Sequence, residues 1–152
     1  MQLMAMHNDY FLYIQTFFDS YAQAMEQYDT KGLAWHYMLP CTLLDDEHQT
    51  VFTEASKLEG FFNQGASFYK QYGIAHAVPT IWTKREWSDT AANVQVKWQY
   101  YDAKKKPLYA CDYQYVLKLD KENDWKIVLS LSINEKQRME AWLASRKKAK
   151  TK

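Results

Sequence analysis

The spacing of apolar residues changes along the chain, and each spacing predicts a different kind of element. Over residues 8–28, apolar side chains recur every three or four positions, which is the period of an amphipathic helix. The face that would be buried contains Ile14, Phe18, Tyr21, Met25 and Tyr28. Asn8 or Asp9 is expected to cap this helix, because either side chain can accept a hydrogen bond from a free backbone N–H.

A short helical turn, a hairpin and a second long helix are predicted next. The turn covers residues 33–38. The segments CTLLD, at 41–45, and TVFT, at 50–53, flank a short polar turn and are typical of a β-hairpin. The second helix is predicted over residues 54–72, and Gly73 would end it in the usual C-terminal conformation.

Strand patterns dominate residues 75–133. The clearest is NVQVKWQYYD, at 93–102, in which apolar and polar residues alternate as they do in a half-buried strand. Further strands are predicted over 108–120 and 125–133, separated from their neighbours by the polar turns AKKKP and KEND. From Asn134, an expected cap, the chain is predicted to form a last helix that ends in the basic tail RKKAKTK.

The order of these elements predicts an α+β fold, with helices packed on one face of a mostly antiparallel sheet. No repeat and no linker interrupts the sequence, so residues 1–152 are expected to form a single domain. Its core would cover about residues 8–133, followed by the C-terminal helix and tail at 134–152. A curved sheet that closes over a long helix leaves a hollow, where a small ligand would bind.

Composition narrows the class of protein. Hydrophobic residues make up 47% and charged residues 24%, which is ordinary for a soluble globular chain. The net charge of +1 gives no field that would attract nucleic acid or an anionic membrane. No apolar run approaches the roughly 20 residues of a membrane span, and the first residues lack the pattern of a signal peptide. Cys41 and Cys111 are expected to be buried, reduced thiols, so a cytoplasmic location is predicted.

Three segments carry a resemblance to a known superfamily. They are FFDSYAQAMEQYD, LAWHYMLPCTLLDD and YQYVLKLDKENDWKIVLS, in that order along the chain. With the order of elements, they resemble the NTF2-like superfamily, which includes ketosteroid isomerase, scytalone dehydratase and the SnoaL-like polyketide cyclases. The resemblance covers about residues 8–133 and implies a cone of helices on a strongly curved sheet. This fold hosts isomerases, cyclases, dehydratases, carriers and protein-binding domains, so it indicates no single activity.

The resemblance also implies candidate catalytic residues. In the isomerase branch a carboxylate removes a proton next to a carbonyl, while a tyrosine and a protonated acid hold the enolate oxygen. Tyr21 stands where that tyrosine is expected, and Asp45 stands where the carboxylate is expected. Tyr21 would otherwise be a core tyrosine, and Asp45 would otherwise be a turn residue. Asp112 is the candidate protonated acid, but it alternates with outward residues, so Cys111 takes the inward position unless a bulge intervenes.

Further residues are expected to line the pocket. They are His36, His76, Trp98, Cys111, Tyr113 and Trp125. The two histidines are hypothetical partners of Asp45, as histidine and aspartate work together in dehydratase-type members; the alternative is a structural histidine with satisfied hydrogen bonds. No histidine pair has the spacing of a metal site and no glycine-rich phosphate loop is present, so no metal or other cofactor is predicted.

Two functions follow from these observations. The first is a hydrophobic pocket for a small molecule, with proton-transfer chemistry on an apolar carbonyl compound. The second is a non-catalytic module that binds a ligand or a protein, or pairs two copies through the outer face of the sheet. A homodimer is expected in either case, and neither nucleic acid nor a membrane is expected as a partner. A buried Asp45 with a raised pKa would favour the enzyme, and a solvated Asp45 beside a filled core would favour the module.

Overall fold

The computed structural model describes residues 13–151. Within that range the helices are α1 (Ile14–Glu26), α2 (Thr30–Trp35), α3 (Ala55–Gln71) and α4 (Glu135–Thr151). The strands are β1 (Tyr37–Leu44), β2 (Gln49–Phe52), β3 (His76–Ser88), β4 (Ala91–Tyr101), β5 (Pro107–Leu119) and β6 (Trp125–Ser132). None of these helices is both long and apolar enough to cross a bilayer. The predicted helix cap at Asn8 or Asp9 lies outside the described residues.

The strands form one curved sheet in the order β2-β1-β6-β5-β4-β3. β1 and β6 are parallel, and all other neighbouring strands are antiparallel. Joining the first hairpin to the last strand in this way brings residues from both ends of the chain onto one surface. The predicted α+β fold, with helices on a mostly antiparallel sheet, is confirmed.

The core lies between α1 and the inner face of the sheet. Phe18 of α1 is fully buried, and its ring centroid is 5.0 Å from that of Tyr115 and 6.4 Å from that of Trp98. The alternation predicted for β4 is confirmed by the burial of Val94, Val96, Trp98 and Tyr100. Fully burying one side chain of the size of phenylalanine stabilises a fold by about 1.5–3 kcal/mol, so this contact surface holds α1 in place.

The short helix α2 lies three residues earlier than the predicted turn at 33–38. It begins early because the side chain of Asp29 accepts a hydrogen bond from the backbone N–H of Gly32 at 2.9 Å. It ends early because Tyr37 already pairs with β6. Strand pairing therefore takes the last residues that the local pattern assigned to a helix.

The predicted alternation of β5 is retained at the position that decides the pocket chemistry. Cys111 is only 1% exposed and lies opposite Trp98 on the inner face. Asp112 lies opposite Lys97 on the outer face, and no register shift occurs at either pair. Cys111 therefore has the inward position, and the protonated acid of the isomerase set is absent from it.

The C-terminal helix α4 is fastened to β5 and α3. Asn134, the expected cap residue, lies directly before α4, and its side chain accepts the backbone N–H of Asp112 at 2.8 Å and donates to the Asp112 carboxylate at 2.9 Å. Farther along, the ring centroid of Trp142 is 5.3 Å from that of Tyr109 and 6.2 Å from that of Tyr72. These contacts hold the first half of α4 against β5 and the end of α3.

Candidate functional site

A cavity of about 600 Å³ lies between the inner face of the sheet and helices α1, α3 and α4. Sites for small molecules usually measure about 300–1,000 Å³, so the volume suits such a ligand. Its apolar wall is formed by Met25, Leu33, Leu43, Leu44, Phe61, Phe62, Phe68 and Met139. The aromatic residues of the core therefore surround a hollow and do not fill it.

Two tyrosines present a pair of hydroxyl groups to this cavity. The hydroxyl oxygens of Tyr21 and Tyr37 are 2.8 Å apart, and both side chains line the cavity. Burial raises the pKa of each phenol above its ordinary value, so both stay protonated at neutral pH. The bond between them uses one of their two protons. No acceptor for the other proton lies within the described part of the chain, so the pair can donate to a ligand oxygen.

A second hydroxyl faces the cavity from β5. The indole N–H of Trp98 donates to the hydroxyl oxygen of Tyr115 at 2.9 Å, and both residues line the cavity. Burial raises the pKa of Tyr115 well above its ordinary value. This bond orients the Tyr115 hydroxyl and leaves its proton available to a ligand.

The first residue of α4 supplies a carboxylate to the same cavity. Glu135 accepts hydrogen bonds from the hydroxyl groups of Tyr69 at 3.1 Å, Tyr109 at 3.2 Å, and Tyr113. Burial is the main cause, and the negative charge of Glu135 the second, of a raised pKa in all three phenols and in that of Tyr100 beside them. A neutral phenol that donates to a carboxylate is the stable arrangement here, because ionising it would place two negative charges together.

Asp45 lies at the rim of the cavity, in the turn between β1 and β2. Its side chain is 46% exposed and accepts the backbone N–H groups of Glu47 at 2.8 Å and His48 at 2.7 Å. Desolvation is the largest single effect and raises the pKa of Asp45, but these bonds and the His48 ring together outweigh it and hold that pKa below its ordinary range. Asp45 is therefore an ionised turn residue that borders the cavity, and it lacks the raised pKa of a typical buried base.

The same turn contacts α4. The carboxylate of Glu47 pairs with the ammonium of Lys136, and Asp46 accepts a hydrogen bond from the side chain of Gln137 at 2.8 Å. These contacts join two sides of the cavity rim, and all four side chains are exposed.

Neither histidine predicted for the pocket lines the cavity. His36 is buried elsewhere, with Nδ1 2.7 Å from the carbonyl oxygen of Gly32 and Nε2 3.0 Å from the hydroxyl of Ser20. Burial lowers the pKa of His36, which keeps its ring neutral. His76 lies 3.2 Å from the carboxylate of Glu26 at the start of β3. Both histidines have protein partners of their own, and the expected pairing with Asp45 is not formed.

Two more predicted lining residues also lie off the cavity wall. Trp125 borders a separate cleft beside α1, lined also by Trp35. Cys111 is covered by Tyr100, whose hydroxyl oxygen is 4.0 Å from its Sγ. Cys41 and Cys111 are both free and buried, as expected, and burial raises the pKa of the Cys41 thiol to about 11. Neither thiol has the exposed, acidic character of a nucleophile.

Four predicted residues do border one cavity: Tyr21, Asp45, Trp98 and Tyr113. The sequence reasoning missed Glu135 and Tyr37 as cavity residues. Glu135 follows a predicted helix cap, where an acidic residue is ordinary, so its position carried no functional signal. Tyr37 fell in the predicted helical turn and was not assigned to a strand facing the hollow.

One group of carboxylates has the spacing of a metal site. Asp120, Glu122 and Asp124 lie in the turn between β5 and β6, with ligand atoms within 4.8 Å of one another. Asp120 already accepts the backbone N–H groups of Glu122 at 2.8 Å and Asp124 at 3.0 Å. Turn formation accounts for this arrangement, and it is separate from the cavity wall.

Comparison with known families agrees with this architecture. The family model described as NTF2-like protein (DUF6841) matches residues 8–135. The chain belongs to this NTF2-like family. No curated protein is detectably similar to it in sequence.

Solved structures show the same fold as the NTF2-like chain at low sequence identity. A cystatin-like-fold domain of unknown function from Nostoc punctiforme has a TM-score of 0.64 at 15% identity, covering 80% of this chain and 75% of that one. An NTF2-like protein from Novosphingobium aromaticivorans has a TM-score of 0.63 at 10% identity, covering 79% of this chain and 78% of that one. A ketosteroid isomerase-like protein from Erwinia carotovora atroseptica has a TM-score of 0.59 at 12% identity, covering 79% of this chain and 92% of that one. At these identities the likeness establishes the fold alone.

Proposed function

We propose that this NTF2-like chain binds a small, largely apolar molecule that carries a carbonyl or phenolic oxygen. The observation that carries the proposal is the hydroxyl pair of Tyr21 and Tyr37 in an apolar cavity of about 600 Å³. An apolar wall with few polar groups is typical of sites that bind such molecules. The ligand oxygen would accept the proton that the tyrosine pair does not use internally.

Replacing one tyrosine of the pair tests this placement. The probes are 4-methylphenol and 4-methylcyclohexanone, which match in shape and carry one oxygen each. In Tyr21→Phe the pair loses a hydroxyl, so we expect both probes to bind about fivefold more weakly, which corresponds to about 1 kcal/mol for one neutral hydrogen bond. Tyr101→Phe is the matched control, because Tyr101 lies outside the cavity wall. Failure of both probes to bind at millimolar concentration would overturn the proposal.

Proton-transfer chemistry in the same cavity is the second candidate function. The observation in its favour is that the carboxylate of Asp45 and the phenol of Tyr21 border one cavity. In such a reaction Asp45 would remove a proton next to the carbonyl, while the tyrosine pair would hold the enolate oxygen. A site built for this step binds phenols, which resemble the enolate, much more tightly than ketones.

Hydrogen–deuterium exchange provides a direct test of the chemistry. The protein is incubated with 4-methylcyclohexanone in D₂O, and exchange of the protons beside the carbonyl is followed by NMR. Enzyme-dependent exchange that Asp45→Asn abolishes, together with a phenol preference, would support catalysis. Equal binding of phenol and ketone without exchange leaves a ligand-binding protein, which is the first proposal.

A further inference from the structure

The cavity contains an anionic group that is not paired with any basic side chain of residues 13–148. Among the described side chains no ion pair joins Glu135 to a lysine, arginine or histidine. Lys136, the next residue, is exposed and pairs with Glu47. His48 is directed to Asp45. The basic groups of the rim are thus engaged with other acids, and Glu135 gives the interior of the cavity a net negative charge.

The carboxylate of Glu135 still has capacity to accept another donor. A carboxylate offers about four lone-pair positions. Two phenols donate to Oε2, and one donates to Oε1. One position on Oε1 therefore remains, on a residue that lines the cavity.

Aromatic rings surround this carboxylate on the cavity side. Tyr69, Tyr100 and Tyr113 line the cavity, and the ring centroids of Tyr69 and Tyr100 are 5.5 Å apart. The faces of such rings attract cations, and the attraction is strongest where water is excluded. A phenol that donates to a carboxylate also becomes richer in electrons, which strengthens the attraction.

We propose that the ligand of this cavity carries, besides its oxygen, a positively charged ammonium group held by Glu135 and the surrounding tyrosine rings. The inference rests on the proposed function, since it assigns the second end of the same ligand. An N–H of the ammonium would occupy the remaining position on Oε1. The oxygen end would reach the hydroxyl pair of Tyr21 and Tyr37.

A purely structural role for Glu135, as an anchor of α4, explains its position less well than a role in binding a cation. An acidic residue in the first turn of a helix is stabilised by the helix dipole without any tyrosine. A position on the solvent-facing side of α4 would be sufficient for that interaction. Here the half-buried carboxylate lines the cavity among three phenols, where its charge is only partly exposed to water. A ligand cation would compensate that charge when it binds.

A pair of probes with the same skeleton tests the inference. The cation 3-hydroxybenzylammonium and neutral 3-ethylphenol differ only by an ammonium in place of a methyl group, and 3-hydroxybenzoate serves as the anion. Binding is measured by calorimetry at pH 7 in 50 mM salt. We expect the cation to bind at least about tenfold more tightly than 3-ethylphenol, and the anion to bind most weakly.

Charge removal at Glu135 provides the second comparison. Glu135→Gln keeps an acceptor oxygen for the tyrosines, so it should retain binding of 3-ethylphenol and lose the preference for the cation. Glu140→Gln, at an exposed position of the same helix, is the matched control and should keep the preference. Binding of 3-ethylphenol also reports that each variant is folded.

The outcomes separate the two proposals. Equal or weaker binding of the cation by the unmodified protein would overturn the inference while leaving the proposed function intact. A preference that persists in Glu135→Gln would overturn the assignment to Glu135. If none of the probes binds, the proposed function fails and the inference fails with it. If Glu135→Gln does not fold, the comparison of probes on the unmodified protein still decides.

Discussion

Truncation of Glu135 should destabilise the fold although the residue belongs to the first turn of a terminal helix. Glu135→Ala removes the acceptor for the hydroxyl groups of Tyr69, Tyr109 and Tyr113. A hydrogen bond to a charged group contributes about 1.5–3 kcal/mol, so the sum for three such bonds would be about 4.5–9 kcal/mol.

The expected loss is smaller than that sum, for structural reasons. The Tyr69 hydroxyl retains a neighbour in the Tyr100 hydroxyl, 3.3 Å away. Water can also enter the cavity and satisfy the remaining phenols. The carboxylate itself no longer has to be taken from water, which offsets part of the loss. We therefore expect the free energy of unfolding to fall by about 3 kcal/mol, which lowers Tm by about 9 °C for a chain of this length.

Urea denaturation followed by tryptophan fluorescence measures this loss. Glu135→Gln should cost only about 1 kcal/mol, because its amide oxygen still accepts hydrogen bonds. Glu140→Ala removes a charge from an exposed position of α4 and should change stability by less than about 0.5 kcal/mol. If Glu135→Ala is no more harmful than Glu140→Ala, the tyrosine–carboxylate network does not stabilise the fold and the reasoning above is refuted.

Three further predictions concern other parts of the chain. The pKa of Asp45 is lower in the folded state than in the unfolded state, so ionised Asp45 stabilises the fold above the unfolded-state pKa, near 3.9, and this contribution is lost as pH falls through the folded-state value. In acid denaturation, the stability difference between the parent and Asp45→Asn should therefore shrink below about pH 4. A difference that stays constant with pH would contradict this. Gly32→Ala should destabilise the fold by about 1 kcal/mol, because the added Cβ would lie 2.4 Å from a carboxylate oxygen of Asp29 and displace the helix cap. In Gly60→Ala the added Cβ meets no atom within 4 Å, so thermal denaturation should show this control variant to be neutral or stabilised. The homodimer remains a prediction, and we propose that it forms through the outer face of the sheet at β3, where Trp82 is 61% exposed. Light scattering should then report a dimer for the parent protein and a monomer for Trp82→Lys. A monomeric parent protein would contradict the predicted dimer.

The parts of the fold that local periodicity encodes could be predicted from the sequence. The buried face of α1 and the alternation of β4 follow from which side chains must leave water, and neighbouring residues alone reveal them. The position of Cys111 could be derived in the same way, because strand parity admits two faces only. The start of α2 could not, because the Asp29 cap and the pairing of Tyr37 with β6 compete for the same residues.

The candidate site was only partly predictable, because its groups come from distant parts of the chain. Glu135 is 66 residues from Tyr69 and 22 from Tyr113, and no local pattern joins them. Asp45 was found by resemblance, yet its pKa depends on hydrogen bonds within the turn that the resemblance does not specify. His36 was expected in the pocket because its chemistry was suitable, but the turn that carries it directs its ring to Gly32 and Ser20.

The family model matches the chain as far as residue 135, and α4 continues from there to residue 151. Lys136 and Met139 nevertheless form part of the cavity wall. The sheet and α1 thus create the hollow, and α4 completes its wall. Substitutions on the cavity-facing side of α4 would therefore change what the cavity accepts while leaving the sheet untouched.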